Sequence, residues 1–268
     1  MKSCLAGVAL LCGVFAGPLA AQDAVAGTTV PRIVEIAYRG NEVTREKVLQ
    51  RELVIAVGDP ADPERIERSR QGLLDLGLFS AASVEQQPLD GGVRVVFVLR
   101  ERYFLLPTPR FDAKSDGRYS YGAQLIWNNV GGRNHTMRIY AERENAEREG
   151  VGTETQYAAR YYAPFVFDSR YNLTLSSSYA ERPVRREAVD FEESFRNASF
   201  SVSRTFSDGA ASQGLTVGGG LGFRQQRTRG IDALPAYGSA IVPTVFVNER
   251  DFHNRIYSDV GEITSLAV

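Results

Sequence analysis

The sequence predicts two architectures in series: an α+β domain with the order β-α-α-β-β over residues 32–104, then an all-β transmembrane β-barrel over residues 105–268. Three observations carry this. Helix-capping signals occur in the first part, most clearly Asp62-Pro63-Glu64. From Phe111 onward helical periodicity disappears, and apolar residues alternate with polar ones in segments of roughly ten residues. No mature segment offers the ~20 consecutive apolar residues of a transmembrane helix. A membrane fate therefore requires closed strands, because hydrocarbon tolerates no unpaired backbone.

Residues 1–21 have the layout of a signal peptide. Lys2 precedes an apolar run from Leu5 to Ala16, and Gly17-Pro18-Leu19-Ala20-Ala21 supplies the small residues of a cleavage site. Ala9-Leu10-Leu11 before Cys12 lacks the small residues of a lipoprotein signal. Cys4 and Cys12 are the two cysteines, both in this segment, so the mature chain has no thiol. Residues 22–31 read as a linker.

In the α+β part, Ile33, Val34, Ile36 and Tyr38 form a strand that ends at the turn pair Gly40-Asn41. Thr44 reads as an N-cap, with Val43 and Val48 spaced as a hydrophobic staple. Val48, Leu49 and Leu53 give the first helix its apolar stripe, and Gly58-Asp59-Pro60 breaks it. The second helix starts with a capping Asp62, Pro63 at its first position, and Glu64 facing the helix dipole. Ile66, Leu73 and Leu74 share a face, and Gly77 ends the helix. Strands over 80–87 and 93–100 follow, joined at Asp90-Gly91-Gly92.

In the β part, Tyr119, Tyr121, Ala123, Leu125 and Trp127 alternate with Ser120, Gly122, Gln124, Ile126 and Asn128. Similar alternation recurs through Met137–Glu142, Gln156–Tyr161, Asn172–Ser176, Asn197–Ser203 and Leu215–Phe223. The charge-rich pieces Glu142–Gly150, Glu181–Glu193 and Gln225–Asp232 read as loops outside the hydrocarbon. Tyr161, Tyr162, Phe165, Phe167, Tyr171 and Tyr179 suit an aromatic girdle at the membrane interface.

The residues point away from catalysis. His135 and His253 stand alone, without metal-ligand spacing, and read as surface or lumenal residues. Gly218–Gly222 is followed by no Gly-Lys-Ser/Thr and opens no helix, so small residues in a crowded or kinked strand explain it better than phosphate binding. Glu192 and Glu193 lie in a charged piece without signs of a buried cleft. No catalytic residue, metal ligand or cofactor site is expected. Lys and Arg number 31 against 32 Asp and Glu, a balance without the basic excess that nucleic-acid binding needs.

The order of elements, Gly40-Asn41 followed by Thr44, Gly58-Asp59, and Leu73–Ser80 with Phe79, resembles a polypeptide-transport-associated (POTRA) domain. The family is the outer-membrane protein assembly and translocation superfamily, in which such periplasmic domains precede a surface-antigen-type barrel. The resemblance implies a Gram-negative outer-membrane location with the POTRA domain in the periplasm. It also implies action without nucleotide on unfolded outer-membrane or secreted client proteins, with periplasmic partner proteins and the lipid bilayer as further partners. The strand after the helices reads as an open sheet edge, Ser83, Val84, Glu85, Gln86 and Gln87, able to accept an extended client strand.

Residues 106–268 have room for roughly eight strands, against sixteen expected of the family. The family's Val/Ile-Arg-Gly-Phe loop and its aromatic last residue are also missing: Arg229-Gly230-Ile231 is a different motif, and the chain ends Ser265-Leu266-Ala267-Val268. The region thus reads as an incomplete, N-terminal part of a barrel. Two alternatives to the assembly reading remain: a small structural or pore-like barrel with a periplasmic adaptor domain, and a truncated, nonfunctional fragment.

Overall fold

The computed structural model describes residues 30–115, 117–145, 152–186, 189–207, 214–230, 236–254 and 259–267, with side chains omitted at 185, 186, 189 and from 250 onward. The expected signal peptide and nearly all of the linker lie outside the described residues, as does the His253 side chain.

The N-terminal domain is a mixed three-stranded sheet under two helices. Strands β1 (Ile33–Arg39), β2 (Phe79–Leu89) and β3 (Gly92–Glu101) stand in the order β1-β3-β2. β1 runs parallel to β3, and β2 runs antiparallel to it. Parallel neighbours need a crossover, and α1 (Glu46–Gln50) and α2 (Pro63–Asp75) supply it. α2 begins as its sequence dictates: the Asp62 carboxylate accepts from Glu64 N at 3.0 Å, and Pro63 occupies the first turn. It ends at Gly77, whose φ of +72° lets its N–H reach Leu74 O at 2.9 Å. Leu49, Leu73, Phe79, Val95 and Phe97 are fully buried between helices and sheet, each worth about 1.5–3 kcal/mol of burial for the larger side chains. Gly40, at φ +82°, lies where a Cβ would come 2.1 Å from Leu99 O, so the turn after β1 admits glycine alone.

The first helix corrects one expectation. Its N-cap is Arg45, with no side-chain cap bond, and Thr44 is buried in contacts of another kind. Val43 is half exposed, so the expected staple is not formed.

Among the described residues, nine antiparallel strands make up the second sheet, each paired with its neighbour in sequence. They are β4 (Leu105–Ala113), β5 (Tyr119–Val130), β6 (His135–Asn145), β7 (Thr153–Ala163), β8 (Tyr171–Arg186), β9 (Val189–Phe206), β10 (Gly214–Arg229), β11 (Tyr237–Asn254) and β12 (Asp259–Ala267). Nine strands among the described residues agree with the roughly eight expected from the length of this region. β4 and β12 each have one partner among the described residues, so the sheet is open there. Pro107 and Pro109 fit β4 because an end strand tolerates lost donors.

Register builds two unlike faces. Trp127, Met137, Tyr161, Leu175, Phe200 and Leu221 are successive cross-strand partners on one face. One residue away, Arg138, Arg160, Ser176, Ser199 and Gly222 form the matching row on the other. The apolar face is the exposed one, with Trp127, Leu175, Phe200 and Leu221 all at 41–48%. Arg138 directly opposite Arg160 is tolerable only on a wetted face.

The charge-rich pieces expected as loops are mostly strand. β8 runs through Glu181–Arg186, β9 starts at Val189, and β10 continues to Arg229. A tilted strand crosses hydrocarbon in about 9–11 residues. Strands of 16 and 18 residues therefore continue beyond it, where both faces can be charged.

Candidate functional site

Two places carry functional geometry: the open edge of the small sheet, and the joint between the N-terminal domain and the turns of the large one.

The edge is β2, which pairs with β3 and with nothing else among the described residues. Which of its backbone groups are open follows from register. Val93 N donates to Arg32 O at 2.9 Å, on the β1 side of β3. Alternation then turns Arg94, Val96 and Val98 toward β2, where their partners are Gln87, Glu85 and Ser83. The backbone groups of those three residues are engaged in the ladder. Val84, Gln86 and Pro88, on the alternate positions, face outward. Pro88 has no donor, and Ala82 O, in the same alternation, already accepts from Arg70 Nη1 at 3.2 Å. Of the five expected edge residues, Val84 and Gln86 thus present open N–H and C=O groups. The Val84 side chain packs against the core, while Ser83, Glu85 and Gln86 are exposed. Glu85 is tied across the sheet to Arg39 at 3.8 Å.

The joint was not foreseen from sequence. Glu101, at the end of β3, accepts from Thr44 N at 2.7 Å, from Val43 N at 3.1 Å, and from Thr44 Oγ1 at 2.5 Å. The Thr44 hydroxyl in turn accepts from Asn129 Nδ2 at 2.8 Å, a buried bond between residues 85 apart in the chain. Asn129 Oδ1 accepts from Asn134 N at 2.8 Å, closing the β5–β6 turn. Arg45 adds two bonds to that turn: its N–H to Gly132 O at 2.9 Å and its Nε to Gly131 O at 3.1 Å. A Cβ on Gly132, at φ +71°, would lie 2.1 Å from Val43 O, so the close approach of the two backbones depends on glycine.

A second contact engages the β7–β8 turn. Asp168 receives Lys47 Nζ at 2.8 Å and Arg51 Nη2 at 2.7 Å, and the Arg51 guanidinium lies 4.8 Å over the Phe165 ring. The hydrogen bond from Lys47 and the neighbouring cations hold the Asp168 carboxyl below the usual aspartate range. The five non-glycine residues with positive φ among the described residues are Asn129, Asn134, Phe165, Phe167 and Asp168. All belong to these two turns. Such backbone costs of order 1–3 kcal/mol per residue and persists where surroundings enforce it.

His135 is buried at the start of β6, and its Nδ1 lies 2.7 Å from Tyr161 Oη, which corrects the surface or lumenal placement expected for it. The glycine run is a packing feature: a Cβ on Gly218 would meet Phe246 Cζ at 2.5 Å and Ser203 Cβ at 2.6 Å. No group of three or more His, Cys, Asp or Glu side chains placed to hold a metal occurs among the described residues.

Comparison with known proteins agrees with this architecture. Residues 31–102 match the POTRA family model, described as a surface antigen variable number repeat. The chain is 24% identical over 196 residues to the outer membrane protein assembly factor BamA of Neorickettsia risticii (strain Illinois), covering 71% of this chain and 24% of that protein. Among solved structures it resembles BamA from Haemophilus ducreyi lacking POTRA domains 1–3, with TM-score 0.60, 14% identity, and coverage of 84% of this chain and 44% of that one. CdiB from Acinetobacter baumannii is similar at TM-score 0.57 and 15% identity, over 89% of this chain and 46% of its own. The chain thus spans about a quarter of the curated relative's length and under half of each structure's. Together these findings show a POTRA domain over residues 31–102 followed by a sheet with the fold of the strands in the BamA and CdiB structures.

Proposed function

We propose that this chain is an outer-membrane protein assembly or translocation component whose POTRA domain takes up extended segments of unfolded outer-membrane or secreted clients by adding them to β2. The observation that carries the reading is the open backbone at Val84 and Gln86, on an edge otherwise closed by Arg70 and Pro88. Main-chain bonding makes small demands on client sequence, which suits a handler of many precursors. The work is binding and templating rather than catalysis, and the barrel strands take the client onward into or across the membrane. The joint suits this division of labour, because it holds the receiving edge at a set height beneath the sheet.

Val84→Pro is the sharpest test. It deletes an outward donor and leaves the β2–β3 ladder whole, whereas Glu85→Pro breaks the ladder and serves as the control for misfolding. Binding of a urea-unfolded barrel precursor, followed by fluorescence anisotropy, is expected to weaken about tenfold in Val84→Pro, the scale of one or two lost hydrogen bonds. Unchanged affinity in a folded Val84→Pro protein would end the edge mechanism.

A further inference from the structure

Between α1 and the β7–β8 turn lies a cavity of about 370 Å³, within the range of small-ligand sites. Arg45, Lys47, Arg51 and Arg133 line it, and Asp168 is the one carboxylate among its lining residues. Four cations therefore face one anion that two of them already bridge. Such an excess around a concave site is an arrangement for phosphate or carboxylate, and three of the four cations are guanidinium forks suited to phosphate oxygens.

The cavity's height narrows the choice of anion. His135 lines it and touches Tyr161, so it lies on the same sheet face as the row Trp127, Met137, Tyr161 and Leu175. His135 stands two residues below Met137, about 7 Å along the strand. That row is the exposed apolar face that meets lipid, and a Trp and a Tyr in it are the side chains that mark an interface. The cations therefore sit at headgroup depth on the lipid side. Phe167, 96% exposed on the turn beside them, would be an apolar ring in water but is well placed among headgroups.

We propose that this cavity holds the phosphate-bearing headgroup of an anionic phospholipid from the periplasmic leaflet, and that the bound lipid sets the depth at which the joint meets the membrane. The inference rests on the barrel reading for its membrane placement. It adds a ligand class to a joint that the hydrogen-bond chain through Thr44 already holds together.

The test uses the full chain folded into nanodiscs of phosphatidylcholine doped with phosphatidylglycerol, with retained lipid read by native mass spectrometry. Wild type is expected to retain phosphatidylglycerol over phosphatidylcholine, and Lys47→Gln/Arg133→Gln to lose that preference about tenfold or more. Asp168→Asn separates a lipid site from a merely structural latch. It releases Lys47 and Arg51 from their carboxylate, so retention should hold or rise, where a latch alone would lose it. Inorganic phosphate at tens of millimolar should displace little. Unchanged retention in the double variant, loss in Asp168→Asn, or full displacement by inorganic phosphate overturns the proposal, the last in favour of a soluble-anion site. A heat-modifiable barrel without lipid preference would sink this inference alone; no heat-modifiable barrel at all would sink the membrane reading with it.

Discussion

The bond from Asn129 Nδ2 to Thr44 Oγ1 makes a quantitative prediction about how the two parts of the chain are held. Thr44→Val keeps the shape of a side chain that is 2% exposed and deletes its hydroxyl. Lost with it are a charge-assisted bond to Glu101, about 1.5–3 kcal/mol, and a neutral bond from Asn129, about 0.5–1.5 kcal/mol. Glu101 keeps its bonds from the Val43 and Thr44 amides, which places the total near the lower half of that range, about 2–3 kcal/mol. Asn129→Gly removes the other partner while accepting the φ of +53° without steric cost. The pair should couple by about 1 kcal/mol in a double-mutant cycle. Native-state hydrogen exchange at the Arg45 amide reads the joint directly, since that N–H is bonded to Gly132 O across it. Through the lost cross-joint bond, Thr44→Val should speed its exchange about 2- to 13-fold, the Glu101 bond being internal to the N-terminal domain. Asn129→Gly should do so without changing the Phe97 amide inside the domain core. Additive single effects, or equal acceleration at Phe97 and Arg45 in Asn129→Gly, would refute the view that this bond joins the two parts.

Two further outcomes follow from other contacts. Because Lys47 and its neighbours hold the Asp168 carboxyl low, its contribution is present above the free aspartate range, about 3.9, and is lost as pH falls through the lowered value. A carboxyl-carbon NMR titration of the folded chain should therefore give a midpoint below 3.9, and one at or above it would contradict the bridge. Gly218→Ala places a methyl 2.5 Å from Phe246 Cζ and should destabilise the folded sheet by about 1–3 kcal/mol, whereas Gly238→Ala, with open space around it, should be neutral in the same detergent unfolding assay.

Local signals in this chain were legible and distant ones were not. Asp62-Pro63 starts α2 as its sequence indicates, because capping involves neighbours two residues apart. Thr44 has the side chain of an N-cap and sits one residue before the true cap. Its hydroxyl is bound instead by Glu101 and Asn129, at separations of 57 and 85 residues, which no local pattern encodes. The edge strand was legible as a strand, but only the register with β3 separates Val84 and Gln86 from Ser83, Glu85 and Gln87. Charge in Glu181–Glu193 suggested loops because charge marks exposure, and exposure is shared by loops and by strands that have left the bilayer. Lys47, Arg51 and Asp168 gave no signal at all, since an ion pair across 117 residues leaves no trace in spacing.

The lengths of the strands also shape the end of the sheet away from the N-terminal domain. β5 to β7 have 11 or 12 residues, enough to cross hydrocarbon and little more. β8 to β11 have 16 to 18, an overshoot of roughly five to nine residues, or roughly 17–31 Å of ribbon. The wall is therefore low along one stretch and tall along the next, like a palisade cut on a slant. Its tall part is braced by pairs such as Arg182–Glu193 at 3.1 Å rather than by lipid. The N-terminal domain meets the β5–β6 and β7–β8 turns, so this charged parapet stands at the opposite end of the strands from it, and a substitution there leaves both contacts of the joint untouched.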